Sequence, residues 1–280
     1  MFKESLYTLL KKEMLADEKQ CVPIRCKSLD ELLSGVKDSP GVQRGIITEL
    51  CGPPGSGKTQ ICMQLCYSAI LEGKKAVFID TNGGFDIDRF LQILELRSNF
   101  DISHTECTPD DNRTENFLKK LFIFDPTTIE ELVDIVQNQL KQLISENPSI
   151  TVIAIDSFSF LVKAVQEKPK EKLRQVRVMH EMVSNLLRIA HENNIAVILT
   201  NEFTTRFDTF GQAYFIPSLG PNFHHRITQR LSLTSNDHEF LANLEKSKYK
   251  QNQIVKFQVS FLLKKIIFIE ISFLDYEERR

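Results

Sequence analysis

The octapeptide Gly52-Pro53-Pro54-Gly55-Ser56-Gly57-Lys58-Thr59 satisfies G-x-x-x-x-G-K-[ST], and it constrains this chain more than any other stretch. Such a loop needs a strand to deliver it and a helix to receive it. Both are legible: Ile46 to Cys51 is a short β-compatible run, and Thr59 to Leu71 carries apolar residues at near-helical spacing until Gly73 stops it. Glycines let the backbone bend with its N–H groups turned inward, and the helix adds the positive end of its dipole. The pattern predicts a phosphate cradle. Lys58 is expected to meet the β- and γ-phosphates and to face solvent when no nucleotide is bound, and the Thr59 hydroxyl to ligate magnesium. An ordinary Gly/Pro turn is the competing reading, but six fixed features in this context rarely coincide.

The alternation continues downstream. Ala76 to Ile79 is an apolar run ending at Asp80, and Asp86 to Leu96 shows helical periodicity through Phe90, Leu91, Ile93 and Leu94. Leu121 to Phe124 reads as a strand, followed by a helical face of Ile129, Leu132, Val133, Val136 and Leu140 capped near Thr127 or Thr128. Thr151 to Ile155 is a continuous apolar strand, Leu173 to Ile189 a helix, and Ile195 to Leu199 another buried strand leading to Thr200, Asn201 and Glu202. Four β-α steps predict an α/β fold, a mostly parallel sheet flanked by helices. Residues 98–116 are polar and aperiodic and read as a surface excursion. Runs at Leu231 to Thr234, Ile254 to Val259 and Ile266 to Phe273 predict a β-rich C-terminal edge. Asp156, closing the Thr151 strand, is placed to orient a magnesium-bound water. Capping a turn is its plainer alternative.

Length and composition agree with this pattern. The 280 residues, 42% hydrophobic and 26% charged, suit one globular core rather than a disordered or low-complexity chain. A formal net charge of -2 excludes a uniformly basic surface, so any nucleic-acid surface must be local. Six cysteines without C-x-x-C spacing, and a lysine-broken N-terminus, predict a reduced intracellular protein without structural zinc or signal peptide. Phe261 to Phe273, the nearest approach to a membrane span, is broken by Lys264, Lys265 and Glu270, so no membrane partner is expected.

The order of the glycine loop, Phe78 to Thr81 (FIDT), Val152 to Ser157 (VIAIDS) and Ala196 to Asn201 (AVILTN) closely resembles the RecA-like homologous-recombination ATPases of eukaryotes and archaea. Glu49 to Gly55, Thr204-Thr205 and Ile216-Pro-Ser-Leu-Gly220 are similar to the recombinase paralogues, nearest the one lettered C. The likeness spans approximately residues 28 to 260. It implies a RecA-like P-loop NTPase core over 29–260, with 1–28 a short N-terminal segment in which the family's helical domain is absent or vestigial, and 261–280 a C-terminal strand and charged tail. It implies ATP and magnesium as ligands, and Arg89 as the arginine lying against adenine, a role a planar guanidinium suits. A solvated surface charge is the plain reading of Arg89. AAA+ and transporter ATPases place Glu directly after the strand-ending Asp, where Ser157 stands here.

Two departures bear on catalysis. The resemblance implies a glutamate that activates water where Asn82 stands, and a γ-phosphate-sensing glutamine where Glu202 stands. An amide cannot accept water's proton, and losing a general base typically costs about 100- to 10,000-fold. A carboxylate beside a triphosphate is repelled unless it is protonated or paired with a cation. Glu202 as a replacement base, and harmless drift at both positions, stay open.

In the family the loops after the Asp156 and Asn201 strands line the DNA path. Residues 163–177 carry six basic residues (Lys163, Lys168, Lys170, Lys172, Arg174 and Arg177) against Glu167 and Glu171, a patch suited to releasing counterions from phosphate, or else a solvated helix end. Phe203 to Phe223 reads as a loop in which Arg206 is interleaved with Phe207, Phe210, Tyr214 and Phe215, suited to unstacked bases or to a partner subunit. His224 and His225 read as turn residues, not a metal site.

The resulting expectation is an ATP-binding paralogue in homologous recombination and double-strand break repair, in mitotic or meiotic cells. It would be nuclear, a subunit with other recombinase paralogues, assisting the strand-exchange filament on single-stranded or recombination-intermediate DNA. The alternatives are a DNA-dependent ATPase with its own strand-exchange activity, and a P-loop small-molecule kinase, for which no arginine-bearing lid is marked.

Overall fold

The computed structural model describes residues 20–35, 39–101, 111–163, 169–236, 239–262 and 265–269. The chain opens with β1 (Cys21–Val22), α1 (Lys27–Leu33), β2 (Val42–Gln43), β3 (Ile47–Gly52) and α2 (Lys58–Leu71). Then come β4 (Lys75–Asp80), α3 (Ile87–Asp101), α4 (Asp111–Leu118) and β5 (Leu121–Phe124). α5 (Ile129–Asp134) continues through a π-helical turn (Ile135–Gln139) into α6 (Leu140–Glu146), and β6 (Ile150–Asp156), α7 (Phe158–Lys163) and α8 (Pro169–Asn193) follow. The last third holds β7 (Ala196–Phe207), β8 (Ala213–Pro217), α9 (Gly220–Arg226), β9 (Gln229–Asn236), β10 (Glu239–Lys246), β11 (Ile254–Leu262) and β12 (Lys265–Ile269).

Ten strands form one sheet in the order β12-β11-β10-β9-β3-β7-β6-β4-β5, with β8 paired to β7 off this path. From β9 to β5 every neighbouring pair is parallel, whereas β10, β11 and β12 add antiparallel. β3 and β6 are buried along their whole length, as strands covered on both faces must be. The two-residue period then sorts their side chains into two cores. Ala76, Phe78, Val152, Ala154 and Ile198 face α2. Val77, Ile79, Ile153, Ile155 and Leu199 face α8. The fold class expected from the sequence is the observed one. β1 pairs with β2, and Val22, Ile24 and Cys26 join the first core, so residues 20–28 pack as part of the same body.

Three local expectations change. Within 98–116 the chain is helical to Asp101 and again from Asp111, so the polar stretch is helix where it is described, and 102–110, with Cys107, lie outside the described residues. β10, EFLANLEK, gives no β signal, yet it pairs on both sides, with β9 and β11; ladder partners outweigh propensity there. β7 does not stop at Leu199 but runs on to Phe207, and β8 returns along it, so the expected loop of 203–223 is a hairpin followed by the start of α9, on which His224 and His225 are helical rather than turn residues. Residues 270–273 of the expected final strand lie outside the described residues. Among the described residues no helix is long and apolar enough to cross a membrane.

Candidate nucleotide-binding site

Gly52, Asp80 and Asp156 close neighbouring parallel strands, and the Asn201-Glu202 pair lies beside them where the parallel pairing of β7 ends, at the edge where open α/β sheets bind ligands. The turn from β3 to α2 needs its glycines. A Cβ on Gly52 would lie 2.3 Å from the Leu233 carbonyl oxygen and 2.8 Å from Ser56 Oγ, and Gly55 and Gly57 take φ of +79° and +92°. Pro53 is half-buried and Pro54 exposed, while the Ser56 hydroxyl is buried without a hydrogen-bond partner.

Lys58 does not face solvent. It is 9% exposed, and its ammonium donates to the carbonyls of Gly52 and Pro53, both at 2.8 Å. The lysine stem is short enough to curl back over the loop that presents it, so a phosphate must compete with those two carbonyls. Burial pushes its pKa down, and the carboxylates of Asp156 and Glu202 oppose the shift. Asp156 is 2% exposed; the Thr200 hydroxyl donates to its Oδ1 at 2.5 Å, and Oδ2 has no hydrogen-bond partner. Burial pushes the Asp156 pKa up, against the nearby Thr200 and Thr59 hydroxyls and Lys58.

These residues fit a magnesium-bound triphosphate. A buried carboxylate oxygen left over beside a threonine hydroxyl and a lysine is costly unless something else satisfies it. Gly52 to Thr59 would cradle the phosphates, with Thr59 on the metal and Asp156 holding a metal-bound water. The bound ion would neutralise charge on the β- and γ-phosphates.

Asn82 is exposed on the turn after β4. Asp80 folds that turn by accepting the N–H groups of Asn82 (3.2 Å), Gly84 (3.1 Å) and Phe85 (2.8 Å). Asn82 Oδ1 accepts from Gly84 N–H at 3.2 Å. A Cβ built on Gly84 would lie 3.0 Å from Asn82 Oδ1 and 3.9 Å from Thr59 Oγ1, which brings the turn beside the magnesium ligand expected of Thr59. Glu202 pairs in register with Gly52, and its carboxylate lies 3.5 Å from Lys163 Nζ. Arg89 sits in the first turn of α3, half-buried, with Nε lacking a partner; burial lowers its pKa.

The nucleic-acid candidates are regrouped. Lys163 leaves the basic patch for Glu202. Lys170, Lys172 and Arg174 are on α8, where Arg174 and Arg177 are exposed, and Lys168 lies outside the described residues. In the hairpin Arg206 is directly opposite Tyr214 and Thr205 opposite Phe215, so alternation puts Arg206 and Tyr214 on one face and Phe207 and Phe215 on the other. They do not form one mixed surface. Asp208 builds the tip, its carboxylate accepting the N–H groups of Phe210 and Gln212 at 2.8 Å each.

Sequence reading assigned no role to Asp80, Thr200 or a buried network behind the loop. Glu49 is fully buried on β3; Arg230 Nε donates to it at 2.6 Å and Asn201 Nδ2 at 2.8 Å. Asn201 Oδ1 accepts from the Ser218 hydroxyl at 2.7 Å, joining β3, β7, β9 and the end of the hairpin. Burial pushes the Glu49 pKa up and Arg230 pulls it down. A glutamate inside an otherwise apolar strand was the available signal, since a buried charge needs a partner. For Asp80 it was a carboxylate followed by Thr-Asn-Gly-Gly, a turn signature.

Comparisons with known proteins fit this geometry. The chain is 31% identical over 182 residues to a DNA repair and recombination protein RadB of Methanosphaera stadtmanae, covering 65% of this chain and 68% of that one. It is 29% identical over 255 residues to a DNA repair protein RAD51 homolog 3 of Cricetulus griseus, covering 84% and 65%. It is 29% identical over 215 residues to a DNA repair protein RAD51 homolog 4 of Bos taurus, covering 74% and 59%. The chain thus spans about two thirds or less of the length of these relatives. The family model described as Rad51 matches residues 18–239, which takes in every strand from β1 to β9 together with the phosphate loop, and the chain belongs to the Rad51 family.

Proposed function

We propose that this chain is an ATP- and magnesium-binding recombinase paralogue of homologous recombination and double-strand break repair. It works as a subunit beside other paralogues, assisting the strand-exchange filament on DNA. One observation carries the reading: the phosphate loop is complete and Asp156 keeps an unsatisfied oxygen beside it, while Asn82 is folded onto its own turn and Glu202 is ion-paired with Lys163. Such a site favours holding nucleotide over turning it over. The names of the relatives support the setting in DNA repair, and the eukaryotic ones support the nucleus.

Single-stranded DNA would be met by the cations of α8 and by the hairpin. Neutralising Lys168, Lys170, Lys172 and Arg174 together should weaken binding and flatten its salt dependence, by roughly 0.7 units of log–log slope per lost phosphate contact. Replacing Phe207 and Tyr214 with alanine should lower affinity by about 1 to 3 kcal/mol per base unstacked, with little change in slope. Fluorescence anisotropy across a salt series reads both. A charge variant that keeps the wild-type slope while losing a partner subunit in co-purification would make the segment a protein interface instead.

A further inference from the structure

β6 lies between β4 and β7, and both neighbours reach its carboxyl end. The ladder with β4 closes at Asp80 and Asp156, and beyond it Thr81 carries the pairing on with three hydrogen bonds. Its N–H donates to the Asp156 carbonyl at 2.9 Å. Its hydroxyl donates to the Ser157 carbonyl at 2.7 Å and accepts the Ser157 N–H at 3.0 Å. Thr81 and Ser157 are both buried, where unpaired N–H and carbonyl groups are costly. From the other side, on β7, the Thr200 hydroxyl donates to Asp156 Oδ1 at 2.5 Å. Asp156 is thus held through its backbone by β4 and through its carboxylate by β7, while Oδ2 has no hydrogen-bond partner among the described residues. Thr81 also opens the turn that Asp80 folds and that runs beside Thr59. One side chain therefore ties the end of β6, with its carboxylate, to the turn next to the Thr59 hydroxyl.

We propose that Thr81 is a positioning residue for the magnesium ion: it fixes where the Asp156 carboxylate stands, and so fits the site to magnesium rather than to a larger cation. The inference rests on the nucleotide-binding reading above. Magnesium demands near-octahedral oxygens at about 2.0 to 2.1 Å, whereas calcium accepts irregular shells at about 2.3 to 2.6 Å. A carboxylate whose backbone can drift still serves calcium but serves magnesium poorly. Groups that orient the ligands of a metal typically change its affinity by roughly 10- to 100-fold when they are removed. The coupling is reciprocal: a clamp that favours the ion is itself tightened by the ion. A threonine that merely completed the sheet would be needed alike with and without metal.

The test measures dissociation constants of a fluorescent non-hydrolysable ATP analogue on the full chain with magnesium, with calcium and with EDTA. Thr81→Val removes the hydroxyl at nearly constant volume. It is expected to weaken magnesium-supported binding about tenfold, calcium-supported binding less and metal-free binding not at all, and Thr81→Ser to restore the wild-type pattern. Circular dichroism checks the fold of each variant. Should Thr81→Val not fold, hydrogen exchange of the wild-type chain decides: Ser157 N–H should exchange about tenfold more slowly with the analogue and magnesium than with the analogue and EDTA. Equal losses under all three conditions, no loss, a valine defect that serine does not repair, or Ser157 exchange indifferent to the metal overturn the inference while leaving nucleotide binding intact. If the wild-type chain binds the analogue under none of the conditions, the nucleotide-binding reading itself fails, and this inference with it.

Discussion

Asn82 shows how one side chain limits what the turn beside Thr59 can do. Its amide oxygen accepts a hydrogen bond from Gly84 N–H, and an amide has no basic lone pair with which to take a proton from water. Asn82→Glu is expected to raise steady-state ATP turnover above wild type, because it puts a base on a turn that runs beside Thr59. No rise in a folded, nucleotide-binding variant would remove position 82 as the missing element. At this scale the sequence was legible wherever spacing dictates geometry, as in Gly52 to Thr59. It was not legible for Lys58, because a long side chain folding onto carbonyls five and six residues back leaves no trace in spacing.

Elements were legible where their period was clean. Parallel strands buried on both faces read as unbroken apolar runs, and the helix that starts at Ile129 follows its apolar spacing, whereas α2 is buried almost all the way round and is marked by the glycine loop before it and Gly73 after it. The β7–β8 hairpin was hidden because residues 203–217 mix polar and aromatic types on both of its faces, a pattern matching neither period. Cross-strand polar contacts were equally hidden, and the Glu49–Arg230 pair between β3 and β9 is the most consequential. Arg230→Met would leave Glu49 buried without its cation, which should destabilise the fold by about 3 to 5 kcal/mol. Urea unfolding measures this, and adding Glu49→Met should recover much of the loss. A single variant within about 0.5 kcal/mol of wild type, the range of ordinary surface substitutions, would show that the pair does not matter to stability.

At the scale of the whole molecule, the sheet brings Gly52 and Glu202, 150 positions apart, into register on one edge of its parallel ladder. Behind that edge the Glu49 network ties the loop-bearing strand to the hairpin and to β9. One ledge therefore carries the phosphate loop, the carboxylates facing it and the root of the hairpin. The direct measurement of nucleotide binding there is a titration of fluorescent ATP with magnesium into the wild-type chain and into Lys58→Ala, with circular dichroism confirming that both are folded. Wild type should bind, and the variant should show no measurable affinity, since the ammonium supplies the charge that meets the phosphates. A folded Lys58→Ala chain that binds ATP as tightly as wild type would contradict the assignment of this loop as the nucleotide site.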